Sequence, residues 1–303
     1  MRVDDYIKRE GQSSIETHRL TDEELARLQR VELEIAEDII NLCEDNGIDY
    51  MLGGGSCLGA MRHNGFIPWD DDIDINMTLK AWRKLFPLIV ERFPEKYWVW
   101  STDTGAEINA IKIYYEGTSF RELGNPSNKD AGIFVDMFVI QNAPTNKLLR
   151  TMQGVLSLGV RYISSCVRLY GQRDFFEEAF KDNEEALKGY RKRFTVGRLF
   201  SFRDVHAWVK TYAHVDGLCH DDHSKYVTIP TGMQMYFGEL MPRDKIFPTV
   251  RHEFCGRQWK VPHDADAYLT RLYGDWRQLP PEDKRERHLI VSIDFGKAGE
   301  THE

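Results

Sequence analysis

The chain lacks paired cysteines, a long apolar run and an excess of basic charge, and each absence removes a class of protein. Its five cysteines, Cys43, Cys57, Cys166, Cys219 and Cys255, are odd in number and form no C-x-x-C pair. A disulfide framework or a cysteine zinc site is therefore not expected. The best apolar stretch, residues 154–167, is broken by Arg161 and Ser164-Ser165. It falls short of the roughly 20 residues that span a bilayer and reads as one face of a packed helix. The start, Met1-Arg2-Val3-Asp4-Asp5, has no apolar signal-peptide core, so a cytoplasmic protein is expected. A net charge of −8 argues against a nucleic-acid partner, which usually needs a basic face. What remains is ordinary for a globular chain: 303 residues, 42% hydrophobic and 29% charged, enough for a full core.

Residues 1–20 are polar and read as a loose tail. Thr21 and Glu24 make a capping box, Gly47 stops the helix that follows, and Leu28, Val31, Ile35, Ile39 and Leu42 recur on one of its faces. Residues 48–52 read as a strand entering the turn Gly53-Gly54-Gly55-Ser56, and residues 56–62 as a short helix. Residues 72–77 read as a strand. Thr78 then caps a helix towards Phe93 that Pro87 should shorten or kink. Further strands are expected at 108–115, 132–140, 226–229 and 289–295, a hairpin at 251–261 and a helix at 266–273. Residues 146–222 are helical, basic and rich in aromatics, with no chemical motif. The fold class expected is α+β: a mixed β-sheet flanked by helices. It forms one domain over 1–303, with a tail (1–20), a core (21–145), a helical insertion (146–222) and a C-terminal part of the core (223–295).

Chemistry concentrates in Trp69-Asp70-Asp71-Asp72-Ile73-Asp74. Strand alternation would put Asp70, Asp72 and Asp74 on one face and Asp71 on the other. Neighbouring carboxylates repel, and burial makes each harder to ionise. A cation removes both penalties, and hard oxygen ligands suit Mg²⁺, Mn²⁺ or Ca²⁺. A solvated acidic turn after Pro68 is the bland alternative, disfavoured by the apolar flanks. An EF-hand loop fails because Ile75 stands at its sixth position and Ala81 at its twelfth. The glycine turn upstream offers backbone amides to phosphate oxygens at a helix start. A later acid, Asp136 in Phe134-Val135-Asp136-Met137-Phe138, needs a partner in so apolar a strand. That partner is either a metal or an arginine.

The run from Gly55 to Asp74, Gly-Ser-Cys-Leu-Gly-Ala-Met-Arg-His-Asn-Gly-Phe-Ile-Pro-Trp-Asp-Asp-Asp-Ile-Asp, closely resembles the signature of the LicD family. These phosphotransferases are known for attaching phosphocholine to bacterial surface glycans, and fukutin-type ribitol-phosphate transferases are distant relatives. The strand around Asp136 resembles the family's second acidic strand. Pro262-His263-Asp264, Tyr268-Leu269, Tyr273-Gly274-Asp275-Trp276, Leu279-Pro280-Pro281, Arg285 and His288 resemble its C-terminal block. Residues between about 146 and 222 match poorly.

The resemblance implies a nucleotidyltransferase-like fold, Mg²⁺ or Mn²⁺ as cofactor, a CDP-activated small-molecule donor and a glycan or lipid-linked glycan acceptor. Peripheral contact with the inner face of a membrane is compatible with it. Asp72, Asp74 and Asp136 are the expected catalytic residues, and Asp70, Asp72, Asp74 and Asp136 the expected metal ligands. Asp136 either completes a second metal site or serves as general base. Gly55 and Ser56 are expected on donor phosphates, with Arg62, His63, Lys112, Arg285 and His288 as further substrate-binding residues. Ribitol-, glycerol- or sugar-phosphate transfer and nucleotidylyl transfer are the rival reactions. A non-catalytic binding protein that keeps the fold is a third reading. A choline head group would want aromatic walls, for which Trp69, Trp98, Trp100, Tyr114 and Tyr115 are available.

Overall fold

The computed structural model describes residues 18–122, 131–281, 285, 288 and 290–299. The first 17 residues of the expected tail, and Leu289 at the start of the last expected strand, lie outside the described residues. The first helix, α1 (Asp22–Asp45), opens on a reciprocal capping box. The Glu24 amide donates to Thr21 Oγ1 at 3.1 Å, and the Thr21 amide donates to the Glu24 carboxylate at 2.8 Å. Its stripe of Leu28, Val31, Ile35 and Ile39 is fully buried, and each such side chain stabilises the fold by roughly 1.5–3 kcal/mol. Gly47, at φ +60°, turns the chain out of the helix.

Strand β1 (Met51–Leu52) feeds α2 (Gly54–His63), which ends on Asn64 in the left-handed region. Then come β2 (Asp74–Thr78), α3 (Leu79–Arg92), β3 (Tyr97–Trp100), β4 (Ile111–Tyr115), β5 (Ser119–Glu122) and β6 (Phe134–Ala143). Four helices follow, α4 (Lys147–Gly171), α5 (Arg173–Ala179), α6 (Glu184–Phe200) and α7 (Val205–Asp216). The chain returns through β7 (Tyr226–Thr228), α8 (Met235–Gly238), β8 (Met241–Pro242) and α9 (Arg243–Ile246). It closes with the hairpin β9 (Val250–Phe254) and β10 (Arg257–Val261), then α10 (Ala265–Tyr273) and β11 (Ile290–Asp294).

The main sheet runs β1-β2-β6-β4-β3, with β7 and β8 continuing from the far end of β6. Strands β2 and β6 are parallel, and the other pairings are antiparallel. The mixed α+β architecture is therefore the expected one. Strands β5 and β11 pair separately beside it. The helices over 147–216 carry two small apolar clusters of their own, one around Phe176, Leu187 and Tyr190 and one around Val160, Tyr212 and Val215.

Two local expectations need correction. Pro87 lies inside α3 without shortening it. Pro87 and Arg83 are both exposed, so the carbonyl deprived of its helical partner can turn to water. Strand β2 begins at Asp74, so residues 70–73 are a loop and pleat alternation does not orient Asp70 and Asp72.

Candidate active site

Strand register builds the centre of the site. Asp74 on β2 pairs with Asp136 on β6, and Asp136 pairs in turn with Lys112 on β4. Opposed residues share a sheet face, so two carboxylates and an ammonium lie in one row. The loop before β2 is fixed at both ends: Gln29 Nε2 donates to the Asp70 carbonyl at 2.9 Å, and the Asp136 amide donates to the Ile73 carbonyl at 2.9 Å. Ligand oxygens of Asp72, Asp74 and Asp136 come within 4.8 Å of one another, as do those of Asp70, Asp71 and Asp72.

Asp71 differs from its neighbours. It is 2% exposed, and its carboxylate accepts from the His288 amide at 2.9 Å and meets His288 Nδ1 at 3.0 Å. His288 thereby ties the C-terminal segment to the acidic loop, and its Nε2 lies 4.0 Å from Asp72 and 3.6 Å from Glu122. On the sheet side, Lys112 Nζ lies 3.2 Å from Glu122 and 3.5 Å from Asp136.

The electrostatics follow from this crowding. Burial, reinforced by Asp72, Asp71 and Asp74, pushes the Asp70 carboxyl well above the carboxylate range. Burial pushes Asp72 up to about 6, with His288 opposing and Asp71 and Asp136 adding to the rise. Burial likewise raises Asp136, although Lys112 opposes it. Burial works against the Lys112 ammonium, but Asp136 and Glu122 outweigh it and keep it charged. His288 is also buried, yet Asp71 and then Glu122 hold it well above its ordinary value. Two cations thus face more acids than they neutralise. Converging hard oxygens that resist ionisation fit a divalent cation, and the acids of this cluster could hold one.

The glycine turn gives the carboxylates room. A Cβ on Gly54 would lie 2.3 Å from Asp74 Oδ2, and one on Gly55 would lie 2.8 Å from Asp70 Oδ2. The Gly54 amide donates to the Tyr268 hydroxyl at 3.1 Å. Ser56, expected on a donor phosphate, is 3% exposed, and its Oγ accepts from the Asp74 amide at 2.9 Å. Its hydroxyl therefore braces the acidic strand. Gly55 lies in the N-terminal turn of α2, beside the Asp70 carboxylate.

Residues 47–152, which contain the glycine turn, the acidic loop, Lys112 and Asp136, match the family model described as LicD/FKTN/FKRP, nucleotidyltransferase domain. The chain carries a LicD-family domain. It is 26% identical over 289 residues to the lipopolysaccharide cholinephosphotransferase LicD of Haemophilus influenzae, covering 88% of this chain and 96% of that one. A local match of 47 residues at 45% identity links it to the ribitol 5-phosphate transferase FKRP of Homo sapiens. That match covers 16% of this chain and 10% of the relative.

Other expected site residues have contacts within the chain. Arg62 Nη1 donates to the Trp276 carbonyl at 2.9 Å, holding the segment after α10. Burial and then Arg62 lower His63, which favours a neutral ring. Arg285 lies over the Trp69 ring at 4.3 Å. Among the aromatic walls, Tyr114 and Trp100 are buried, Trp98 stacks on Tyr114 at 4.5 Å, and the Tyr115 hydroxyl bonds Glu34. Trp100 and Tyr114 are thus part of the core, while Trp98 and Tyr115 stay half-buried against it. The His220-Asp221-Asp222-His223 loop forms no ligand cluster among the described residues.

Sequence reasoning missed Glu122 and Glu32, and gave Tyr273 no role beyond its place in the C-terminal block. Glu122 sits on a four-residue strand without a readable pattern. Glu32 did leave a signal: it is an acid on the apolar stripe of α1, one turn from Leu28, and is 1% exposed. Burial and then Asp72, Asp71 and Asp70 raise its carboxyl far above the usual range. The Tyr273 hydroxyl is raised by burial and then by Asp74, and it shares with Asp74 the space beside Gly54.

Proposed function

We propose that this protein is a metal-dependent phosphotransferase that moves phosphocholine, or a similar phospho-alcohol, from a CDP-activated donor to a sugar hydroxyl of a cell-surface glycan. The observation that carries the reading is the Asp74–Asp136–Lys112 row with Asp72 at its edge. Asp72, Asp74 and Asp136 would hold Mg²⁺ or Mn²⁺, with Asp70 beside them. When bound, that ion supplies charge neutralisation at the diphosphate and at the attacking oxygen.

The chain's own residues do the rest. The N-terminal turn of α2 at Gly55 presents backbone amides to the donor phosphates. Lys112, kept charged by Glu122 and Asp136, offsets negative charge as it develops on the departing phosphate. The acceptor oxygen attacks the β-phosphorus in line, the bond to the CMP oxygen breaks, and the hydroxyl proton passes to a carboxylate. Asp136 or Asp70, in its ionised form, would take it. Arg285 and His288 pin the loop that carries the acids, through Trp69 and Asp71.

The local likeness to a ribitol 5-phosphate transferase favours ribitol phosphate as the second cargo. Incubation with CDP-choline, CDP-ribitol and CDP-glycerol and a glycan acceptor, with CMP as readout, separates the donors. CMP release from one donor with label on the glycan is expected. Pyrophosphate release from a nucleoside triphosphate, with the nucleotide retained on the acceptor, would replace this reading by nucleotidylyl transfer.

A further inference from the structure

The helices over 147–216 contribute none of the clustered carboxylates, and the first half of α4 exposes its apolar side chains, while Val160, Cys166, Val167 and Leu169 are buried further along. Its buried face includes Gln153, Ser157 and Ser164. Two of these groups are satisfied by the end of α7: Gln153 Nε2 donates to the Val215 and Asp216 carbonyls at 3.0 and 2.9 Å, and Ser157 Oγ donates to Asp216 Oδ1 at 2.6 Å. The outer face is apolar. Leu148, Leu149, Met152, Val155, Leu156 and Tyr162 are between 48% and 68% exposed. At helical spacing they form one stripe, about 21 Å long at 1.5 Å per residue.

The arginines of this stretch are turned away from the stripe. Arg150 lies over the Tyr226 ring at 4.0 Å and donates to the Pro144 carbonyl, and Arg161 donates to the Pro230 carbonyl. Every exposed residue of α4 from position 148 to 162 is uncharged. The apolar surface resumes at the corner between α6 and α7, where Leu199 and Phe202 are 70% and 78% exposed. That corner adjoins α4, because Gly197 abuts the Cys166 carbonyl and Trp208 packs on Val160 while meeting Phe202 edge-on at 6.2 Å.

Charge selects the occupant. Helices α6 and α7 with their corner, residues 184–216, contain seven lysines and arginines and four acids, of which Glu184 and Glu185 lie at the start of α6, away from the corner, and Asp216 is buried, in a chain whose net charge is −8. Lys192, Arg198, Arg203 and Lys210 are exposed. A second copy of the chain on the same stripe would cover the apolar face but supply no negative charge for the basic corner. An anionic bilayer supplies both missing partners: acyl carbon for the stripe and negative potential for the corner. We infer that the outer face of α4 and the α6–α7 corner form a docking surface for an anionic phospholipid membrane. This inference is independent of the carboxylate chemistry.

The test is co-sedimentation of the full chain with vesicles of phosphatidylglycerol and phosphatidylethanolamine, set against pure phosphatidylcholine vesicles. The protein should pellet with the anionic vesicles and not with the neutral ones, and added salt should weaken the binding. Leu149→Ser with Val155→Ser should reduce partitioning at least tenfold, and Arg198→Glu with Arg203→Glu should do the same, each with an unchanged circular dichroism spectrum. These side chains are exposed, so the fold tolerates the changes. No pelleting with anionic vesicles, or equal pelleting by both double variants, overturns the inference. So does a concentration-dependent dimer that the Leu149/Val155 variant abolishes when vesicle binding is absent.

Discussion

Replacing Gly54 and Gly55 one at a time by alanine separates the catalytic role of the turn from its structural one. Gly55 lies in the first turn of α2 at an ordinary φ, and alanine there should stabilise the helix by up to about 1 kcal/mol. Its Cβ would nevertheless lie 2.8 Å from Asp70 Oδ2. Restoring an ordinary contact of 3.4 Å moves that carboxylate by about 0.6 Å. Gly54 is at φ +39°, and its Cβ would lie 2.3 Å from Asp74 Oδ2, so Asp74 must move by about 1.1 Å. Left-handed backbone costs alanine about 1–2 kcal/mol in addition. A misplacement of about 1 Å can reduce turnover on the order of a hundredfold. Gly55→Ala should therefore keep or raise the denaturation midpoint while losing about tenfold in CMP release. Gly54→Ala should lose about a hundredfold and be less stable as well. The reasoning fails if Gly55→Ala turns over like wild type, or if its activity falls only as far as its stability does.

Glu122→Gln removes the carboxylate 3.2 Å from buried Lys112 and leaves Asp136 as its remaining partner. A loss of about 1–3 kcal/mol in urea denaturation is expected, together with reduced turnover, since one partner of a buried pair is gone; unchanged values in both would refute the role given to Glu122. Asp216 is raised from 3.8 to about 7 by burial, opposed by Ser157, Arg161 and Asn109. The folded state then binds more protons than the unfolded one between about pH 4 and 7. Stability should therefore fall as pH rises through that window, by up to about 4 kcal/mol. Asp216→Asn should flatten the curve and be the more stable form at pH 8, and parallel pH curves for the two proteins would contradict this.

Much of the site was legible because it rests on local pattern. The capping box, the glycine turn and the acid-aliphatic alternation all declare themselves within a few residues, and Asp136 stands out as a lone acid in an apolar strand. Ser56 illustrates what did not show: its hydroxyl was visible, but only the fold reveals that it accepts from the Asp74 amide. Glu122 and His288 are brought to the site by pairing between β5 and β11, distant in sequence. Asp71 was set apart by strand alternation, yet β2 starts only at Asp74, and what engages Asp71 is His288. Of the aromatic candidates, Trp100 and Tyr114 proved to be core, because a ring's chemistry reads the same in a core as in a pocket.

The central claim is that Asp72, Asp74 and Asp136 together hold a divalent ion that phosphotransfer requires. Its most direct test is CMP release from a CDP-alcohol by EDTA-treated protein, before and after Mg²⁺ or Mn²⁺ is restored, for wild type, Asp74→Asn and Asp136→Asn. No turnover in EDTA, recovery on adding the metal, and a loss on the order of a thousandfold or more in each variant are expected, with the fold intact by circular dichroism. Turnover that persists in excess EDTA, or wild-type rates in Asp74→Asn, would contradict it.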